Sequence, residues 1–299
     1  MGIAMKYAIF RCCPTPIFLQ YYEASTNAVL AKLGVTLIDI KAFNCCGYPL
    51  KGTDNKAHLL AAVRNLALAA GNGLDIITLC NCCFESLKGA KFRMDSDDTL
   101  RQEISAILKK ENLIYRKETQ IRHVFEVLLE EIGIEKIRKQ LVTSYEGLKI
   151  ATHYGCHLLR PSQVLQFDNP VAPTRFDALV EVTGAQSIPW SSKLDCCGAP
   201  AWGSQNELSI SLTEKKITDA ITYGADFLCV ACVYCQLQFD RVQHMQLSQS
   251  HQKGSLASIL YPQLLGLTLG IDANTLGLDQ HHMDTTGLST FLAKAPEAS

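Results

Sequence analysis

The stretch Gly73-Leu74-Asp75-Ile76-Ile77-Thr78-Leu79-Cys80-Asn81-Cys82-Cys83 decides the fold, because it occurs twice. Its second copy is Gly224-Ala225-Asp226-Phe227-Leu228-Cys229-Val230-Ala231-Cys232-Val233-Tyr234-Cys235. Each copy opens on glycine, passes through a short apolar run of strand character and closes on Cys-x-x-Cys. Working outward, Cys45-Cys46-Gly47 precedes the first copy and Cys196-Cys197-Gly198 the second, with 34 positions from Cys46 to Cys80 and 35 from Cys197 to Cys232. Further upstream stand Cys12-Cys13 and Cys156, 32 positions from Cys13 to Cys45 and 40 from Cys156 to Cys196. The flanks match as well: Lys6-Tyr7-Ala8-Ile9-Phe10 leads to the first cysteines as Lys149-Ile150-Ala151-Thr152-His153 leads to Cys156. One order of parts used twice reads as an internal duplication.

Short apolar runs at 7–10, 36–40, 76–79, 150–153 and 227–230 read as buried strands, and helical patterns at 22–33, 58–70, 173–183 and 207–223 lie between them. Alternating strands and helices predict α/β units around parallel sheets. The expected architecture is two similar α/β domains, residues 1–145 and 146–285, with one cysteine site per half and a loose tail at 286–299. Ser144-Tyr145-Glu146-Gly147 is the candidate linker. Between the copies, Asp95-Ser96-Asp97-Asp98 reads as the cap of a helix through Leu108, and 121–132 has helical spacing. Ligands in parallel sheets gather at the carboxyl ends of strands. Cys13, Cys80, Cys156 and Cys232 all fall there.

Composition narrows the function. Of 299 residues 47% are hydrophobic and 19% charged, which fits a chain with a sizeable core and excludes disorder. A net charge of −1 gives no electrostatic case for nucleic acid or an acidic membrane surface. The opening MGIAMKYAIF passes straight into a strand pattern without a secretory leader, and Lys6 breaks a myristoylation pattern. The most apolar run, 259–271, contains Pro262 and is too short to span a bilayer. A cytoplasmic chain is expected. There, 13 cysteines point to metal or redox chemistry and away from a disulfide framework.

Thiolates select zinc, copper(I) or iron–sulfur clusters. Each half supplies a Cys-x-x-Cys loop, a Cys-Cys pair and an upstream cysteine, one thiol more than tetrahedral zinc uses. That surplus favours iron–sulfur. The bacterial ferredoxin run Cys-x2-Cys-x2-Cys-x3-Cys-Pro is absent. Cys229 reads as strand packing, and Cys12 and Cys82 as neighbours of ligands or alternative ligands. His157 is the candidate proton donor to a leaving thiolate, with loop orientation as its other reading; His153 reads first as packing at a strand end. Arg160 fits an anion or an ordinary surface pair, Asp240 and Arg241 an ordinary helix, and His281-His282 resembles a metal site only superficially. No flavin fingerprint or nucleotide loop is present, so electrons come from another protein.

The twin pattern, with His153-Tyr154-Gly155-Cys156-His157-Leu158-Leu159-Arg160-Pro161 and Leu260-Tyr261-Pro262-Gln263-Leu264-Leu265-Gly266-Leu267, resembles the CCG cysteine-rich domain family. In its two-copy form it looks like the CCG-bearing B subunit of heterodisulfide reductases, including the sulfur-oxidation type. The resemblance implies two noncubane [4Fe-4S] clusters, one on Cys13, Cys45, Cys46, Cys80 and Cys83, the other on Cys156, Cys196, Cys197, Cys232 and Cys235. It implies a disulfide cleaved or formed between them. It also implies a small ferredoxin-like partner, a flavin-bearing partner and a thiol substrate such as coenzyme M–coenzyme B, a persulfide or a lipoate-bearing protein. The alternative is a CCG electron-transfer subunit of a quinone-linked dehydrogenase of the lactate or succinate type. Cys12 and Cys82 depart from the family, standing where glycine is expected.

Overall fold

In the computed structural model, which describes residues 5–249 and 254–294, β1 (Met5–Phe10) buries Tyr7 to Phe10 and runs into Cys12-Cys13. The chain returns through α1 (Gln20–Lys32) to β2 (Val35–Ile38), parallel to β1 with Met5 opposite Val35. α2 (Asn55–Gly71) starts where the Asp54 carboxylate accepts the backbone N–H groups of Lys56 and Ala57, satisfying donors the first turn leaves open. β3 (Asp75–Thr78) pairs with the other side of β1 and delivers Cys80 to the start of α3 (Asn81–Ser96). α4 (Asp98–Leu108) is capped by the Asp97 side chain on Leu100 N–H, as the acidic run predicts. β4 (Ile121–His123) completes a parallel sheet of order β2-β1-β3-β4.

The second half repeats the plan. β5 (Thr143–Tyr145) leads to β6 (Lys149–His153), followed by α5 (Arg175–Val182), β7 (Gln186–Ser187), α6 (Asn206–Thr222), β8 (Phe227–Val230), α7 (Val233–Leu237) and β9 (Ser258–Leu260). Their sheet runs β7-β6-β8-β9, also parallel. In each half the first strand is central and the third lies between it and the edge. Helices cover both faces, so central strands such as β8 are apolar throughout and not alternating.

Four expectations need correction. Residues 121–132 are not one helix: Ile121 and His123 are buried in β4, and helical backbone begins only at Val124, turning π-type over Val127–Ile132. The open edge of β3 recruits Ile121 against Ile76, which a local periodicity could not foresee. The proposed linker begins inside strand β5, which takes Ser144 and Tyr145 and pairs antiparallel with β10 (Leu292–Lys294). The stretch read as a loose tail, 286–299, is therefore tied down as far as Lys294, with Leu288 buried; just before it the buried Asp240 carboxylate accepts the N–H groups of His282 and Met283, each at 2.9 Å. Residues 295–299 lie outside the described residues. Asp240 is thus an anchor for the chain end, in a π-helical turn (Gln238–Val242) and not in an ordinary helix.

The apolar run at 259–271 divides into β9 and α8 (Tyr261–Thr268), with Pro262 in the first turn where its missing N–H does no harm. Both are buried, and Tyr145 Oη donates to Leu264 O. The buried apolar residues of the two halves form one continuous cluster. Hydrogen bonds cross between them: Tyr22 Oη donates to Ala231 O at 3.2 Å and Asn81 Nδ2 to Tyr154 O at 2.7 Å. Among the described residues no helix is long and apolar enough to cross a membrane.

Gly47 and Gly198 have φ of +82° and +92°, and a Cβ there would lie 2.7 Å from His58 O and 2.5 Å from Ser209 O. The glycine of each Cys-Cys-Gly is required by the first turn of the following helix, α2 or α6, which presses on it. Gly34→Ala (φ +86°, open surroundings) should cost about 1–2 kcal/mol of unfolding free energy from backbone strain alone. Gly47→Ala and Gly198→Ala should each lose clearly more in urea unfolding; equal losses at all three would show that the close approach contributes nothing.

Burial holds His123 down to about 3 and His281 to about 4, against an ordinary value near 6.5. The unfolded chain then takes up protons that the folded one refuses. Stability is complete above pH 6.5 and falls as pH drops toward 4, by up to about 1.4 kcal/mol per pH unit for each histidine. In urea titrations between pH 7 and 5, His123→Phe should flatten that slope by one histidine's share; an unchanged slope contradicts it.

Candidate metal centre

The strand ends carry the site. Thr78 closes β3 and Val230 closes β8; two residues on, Cys80 and Cys232 take extended backbone (φ −127° and −134°) as N-caps of α3 and α7. Cys-x-x-Cys at a helix start places its first thiol at the cap and its fourth-position thiol in the first turn, where the N–H ends of the helix favour negative sulfur. Cys13 and Cys156 follow β1 and β6. The two Cys-Cys-Gly turns close over them, each continuing into a short 3₁₀ turn, Tyr48–Leu50 and Ala199–Ala201.

All thirteen cysteines are free of disulfides. Cys13 and Cys45 are exposed, their sulfurs 3.8 Å apart. Buried behind them, the sulfurs of Cys12, Cys80 and Cys83 lie within 4.8 Å of one another. So do those of Cys80, Cys82 and Cys232, and the ligand atoms of His153, Cys197 and Cys235. Cys80 Sγ approaches Cys232 Sγ to 4.0 Å across the two halves. Every expected ligand except Cys156 and the exposed Cys13, Cys45 and Cys196 is buried. Cys12 and Cys82, which sequence reasoning set beside the ligands, stand among them. Cys229 packs inside β8 opposite Thr152, as read.

The thiols hold one another's protons. Hydrogen bonds from Cys13 and then Cys46 bring Cys45 down to about 2, while Cys46, donating, is pushed up to about 12. Burial raises Cys156 to about 11, helped by the charges of Cys197 and Cys232. So dense a set of soft donors is matched by cationic metal, and the number and softness of its sulfurs fit iron–sulfur chemistry. His153 Nε2 lies 3.2 Å from Cys235 Sγ, and burial holds the ring down at about 4, so it is neutral. His157 Nδ1 lies 3.4 Å from Cys82 Sγ and 3.7 Å from Cys156 Sγ.

A cavity of about 230 Å³ opens between the halves, lined by Cys82, Cys156, His157, Cys197, Cys232 and Tyr234 among others. Arg160 is turned away from it, toward Pro170 O. His281 hydrogen-bonds Gln263 through Nε2 and does not join the thiols. Sequence reasoning passed over Tyr48, Asn81 and Tyr234, which line the cavity. Tyr234 occupies the place in its Cys-x-x-Cys that Cys82 occupies in the first, and that alignment was the available signal.

The chain is similar to known proteins over nearly its whole length. The cysteine-rich domain family CCG matches residues 6–88 and 150–240. The chain is 35% identical over 298 residues, 98% of both chains, to the B subunit of the ferredoxin/F(420)H(2)-dependent CoB-CoM heterodisulfide reductase of Methanosarcina acetivorans. It is 31% identical over 284 residues, 95% of this chain and 99% of the other, to the 8-methylmenaquinol:fumarate reductase membrane anchor subunit of Wolinella succinogenes. A solved structure of a hypothetical protein from Helicobacter pylori superposes with TM-score 0.79 at 19% identity over 95% of this chain; this chain spans 53% of that one, so the likeness is one of fold.

Proposed function

The chain belongs to the CCG cysteine-rich domain family, and on that premise we propose that it is the catalytic iron–sulfur subunit of a heterodisulfide reductase-like complex. The observation that carries this reading is the 4.0 Å approach of the buried Cys80 to Cys232, which itself lines the cavity shared by both halves. Residues 1–145 would hold one cluster through Cys13, Cys45, Cys46, Cys80 and Cys83, and residues 146–285 the other through Cys156, Cys196, Cys197, Cys232 and Cys235. Noncubane [4Fe-4S] clusters on these ligands would supply one-electron transfer, two of which split or join a disulfide.

The protein's own groups have defined work. The cavity, about 230 Å³ and lined from both halves, would admit a disulfide between them. His157, set between Cys82 and Cys156, can hand a proton to a leaving thiolate or take one from a thiol. A ferredoxin-like partner and a flavin-bearing partner in the same complex would carry the electrons. The free thiols suit a reducing, cytoplasmic setting. A lipoate-bearing protein is one candidate substrate among small disulfides. The second reading, an electron-transfer subunit of a quinone-linked dehydrogenase, draws on the quinol:fumarate reductase relative, which stands at 31% identity against 35%.

Anaerobically purified protein should contain iron and acid-labile sulfide in near-equal amounts, and Cys196→Ala with Cys197→Ala should lower both. Colourless protein holding zinc alone would sink the cluster reading. In the assembled complex, reduction of small disulfides but not quinones supports the first reading, and the reverse supports the second. His157→Asn should keep its iron while disulfide turnover falls roughly 100-fold; iron lost in parallel would make His157 a structural support of the site.

A further inference from the structure

The two halves repeat one order of cysteines but not of charges. Asn65 in α2 and Lys216 in α6 each stand 18 residues beyond their Cys-Cys-Gly glycine, on the helices that press against Gly47 and Gly198. They do the same mechanical job. Asn65 Nδ2 donates to Asn44 O at 3.1 Å and Cys45 O at 3.3 Å, holding the approach to the first pair. Lys216 Nζ donates to Ser192 O and, at 3.2 Å, to Asp195 O, holding the approach to the second. Only the second brings a charge.

Lys216 is 1% exposed, and its ammonium lies 4.6 Å over the Trp190 ring. Its hydrogen-bond acceptors are backbone carbonyls, which leave the charge in place. Burial lowers it to about 8, while the Asp195 carboxylate first, and then the sulfurs of Cys197, Cys235 and Cys196, oppose that fall, so it stays protonated at neutral pH. The neighbouring surface cations are matched in both halves: Arg64 pairs with Glu111 and Lys215 with Asp195. Arg11, beside the first site, is held by both Glu23 and Asp39. A second difference points the same way. His153 closes β6 and reaches Cys235 Sγ, whereas the residue closing β1 is Phe10, which offers no hydrogen.

Adding an electron to a metal–sulfur site adds a negative charge. A buried cation and a hydrogen bond to a ligand sulfur both favour the reduced form, strongly so in a low-dielectric interior. Resting on the iron–sulfur reading above, we propose that the two sites differ in redox potential and that Lys216 makes the second one the better electron acceptor, where Asn65 leaves the first unassisted. Lys216 is a positioning and tuning residue: it touches no substrate. An electron entering from a partner then settles on the second site, and the first reduces only after it.

The test is potentiometric titration of the anaerobic, iron-loaded chain followed by electron paramagnetic resonance. Lys216→Asn should lower the reduced-to-oxidised ratio of the second site at least tenfold at fixed potential, which is about 59 mV for one electron, and leave the first site alone. Lys216→Arg, which keeps the charge, should restore the wild-type value. If Lys216→Asn fails to hold iron, single-site proteins decide instead. A chain keeping only the second site (Cys45→Ala, Cys46→Ala) should reduce at higher potential than one keeping only the first (Cys196→Ala, Cys197→Ala). Equal potentials, or the opposite order, with iron bound overturn this inference alone. A wild-type chain that binds no iron overturns the functional reading and this inference with it.

Discussion

The thiols of Cys80 and Cys232 meet at 4.0 Å, and much of the structure can be understood as the means of bringing them there. Each terminates the third strand of a parallel sheet and begins a helix, so each sits where N–H groups point at it and backbone carbonyls do not. A parallel sheet has both faces covered and its loops collected at the carboxyl edge. Two such edges set against each other enclose a volume with thiols on both sides. The cavity lined by Cys82 from one half and Cys156, Cys197 and Cys232 from the other is the direct result.

Packing so many thiols into an interior has a physical consequence for their protons. Each sulfur that is not binding metal must share protons with its neighbours, and the opposite displacements of Cys45 and Cys46 express that sharing. The glycines beside them answer a different demand. Their positive φ and the helix backbone crowding them hold the Cys-Cys turns in place. The end of the described chain is tied back onto the second half: β10 returns to β5, and Asp240 captures the chain near His282.

The duplication preserved geometry more strictly than chemistry. Asn65 and Lys216 hold the same turn, Cys82 and Tyr234 fill the same place in their loops, and Phe10 and His153 close the same strand. In each pair the backbone role is common and the side-chain function has diverged. Two copies of one site that were identical in potential would have no preferred direction for an electron; unequal copies have one.

The strand-helix order, the duplication and the gathering of cysteines in each half were legible in the sequence, because cysteine spacing and short apolar runs bounded by glycine are properties of the chain alone. So was the carboxyl-end position of Cys13, Cys80, Cys156 and Cys232. Short edge strands were not: β4 and β9 are strands because β3 and β8 offer open edges, and β10 exists only because β5 lies beside it. The inclusion of Cys12 and Cys82 among the buried sulfurs, the placing of His157 between Cys82 and Cys156, and the charge of Lys216 beneath the second turn were decided by tertiary structure. Each depends on where a side chain points once two sheets have docked, and no local pattern in a sequence encodes the distance between residues brought together from opposite halves.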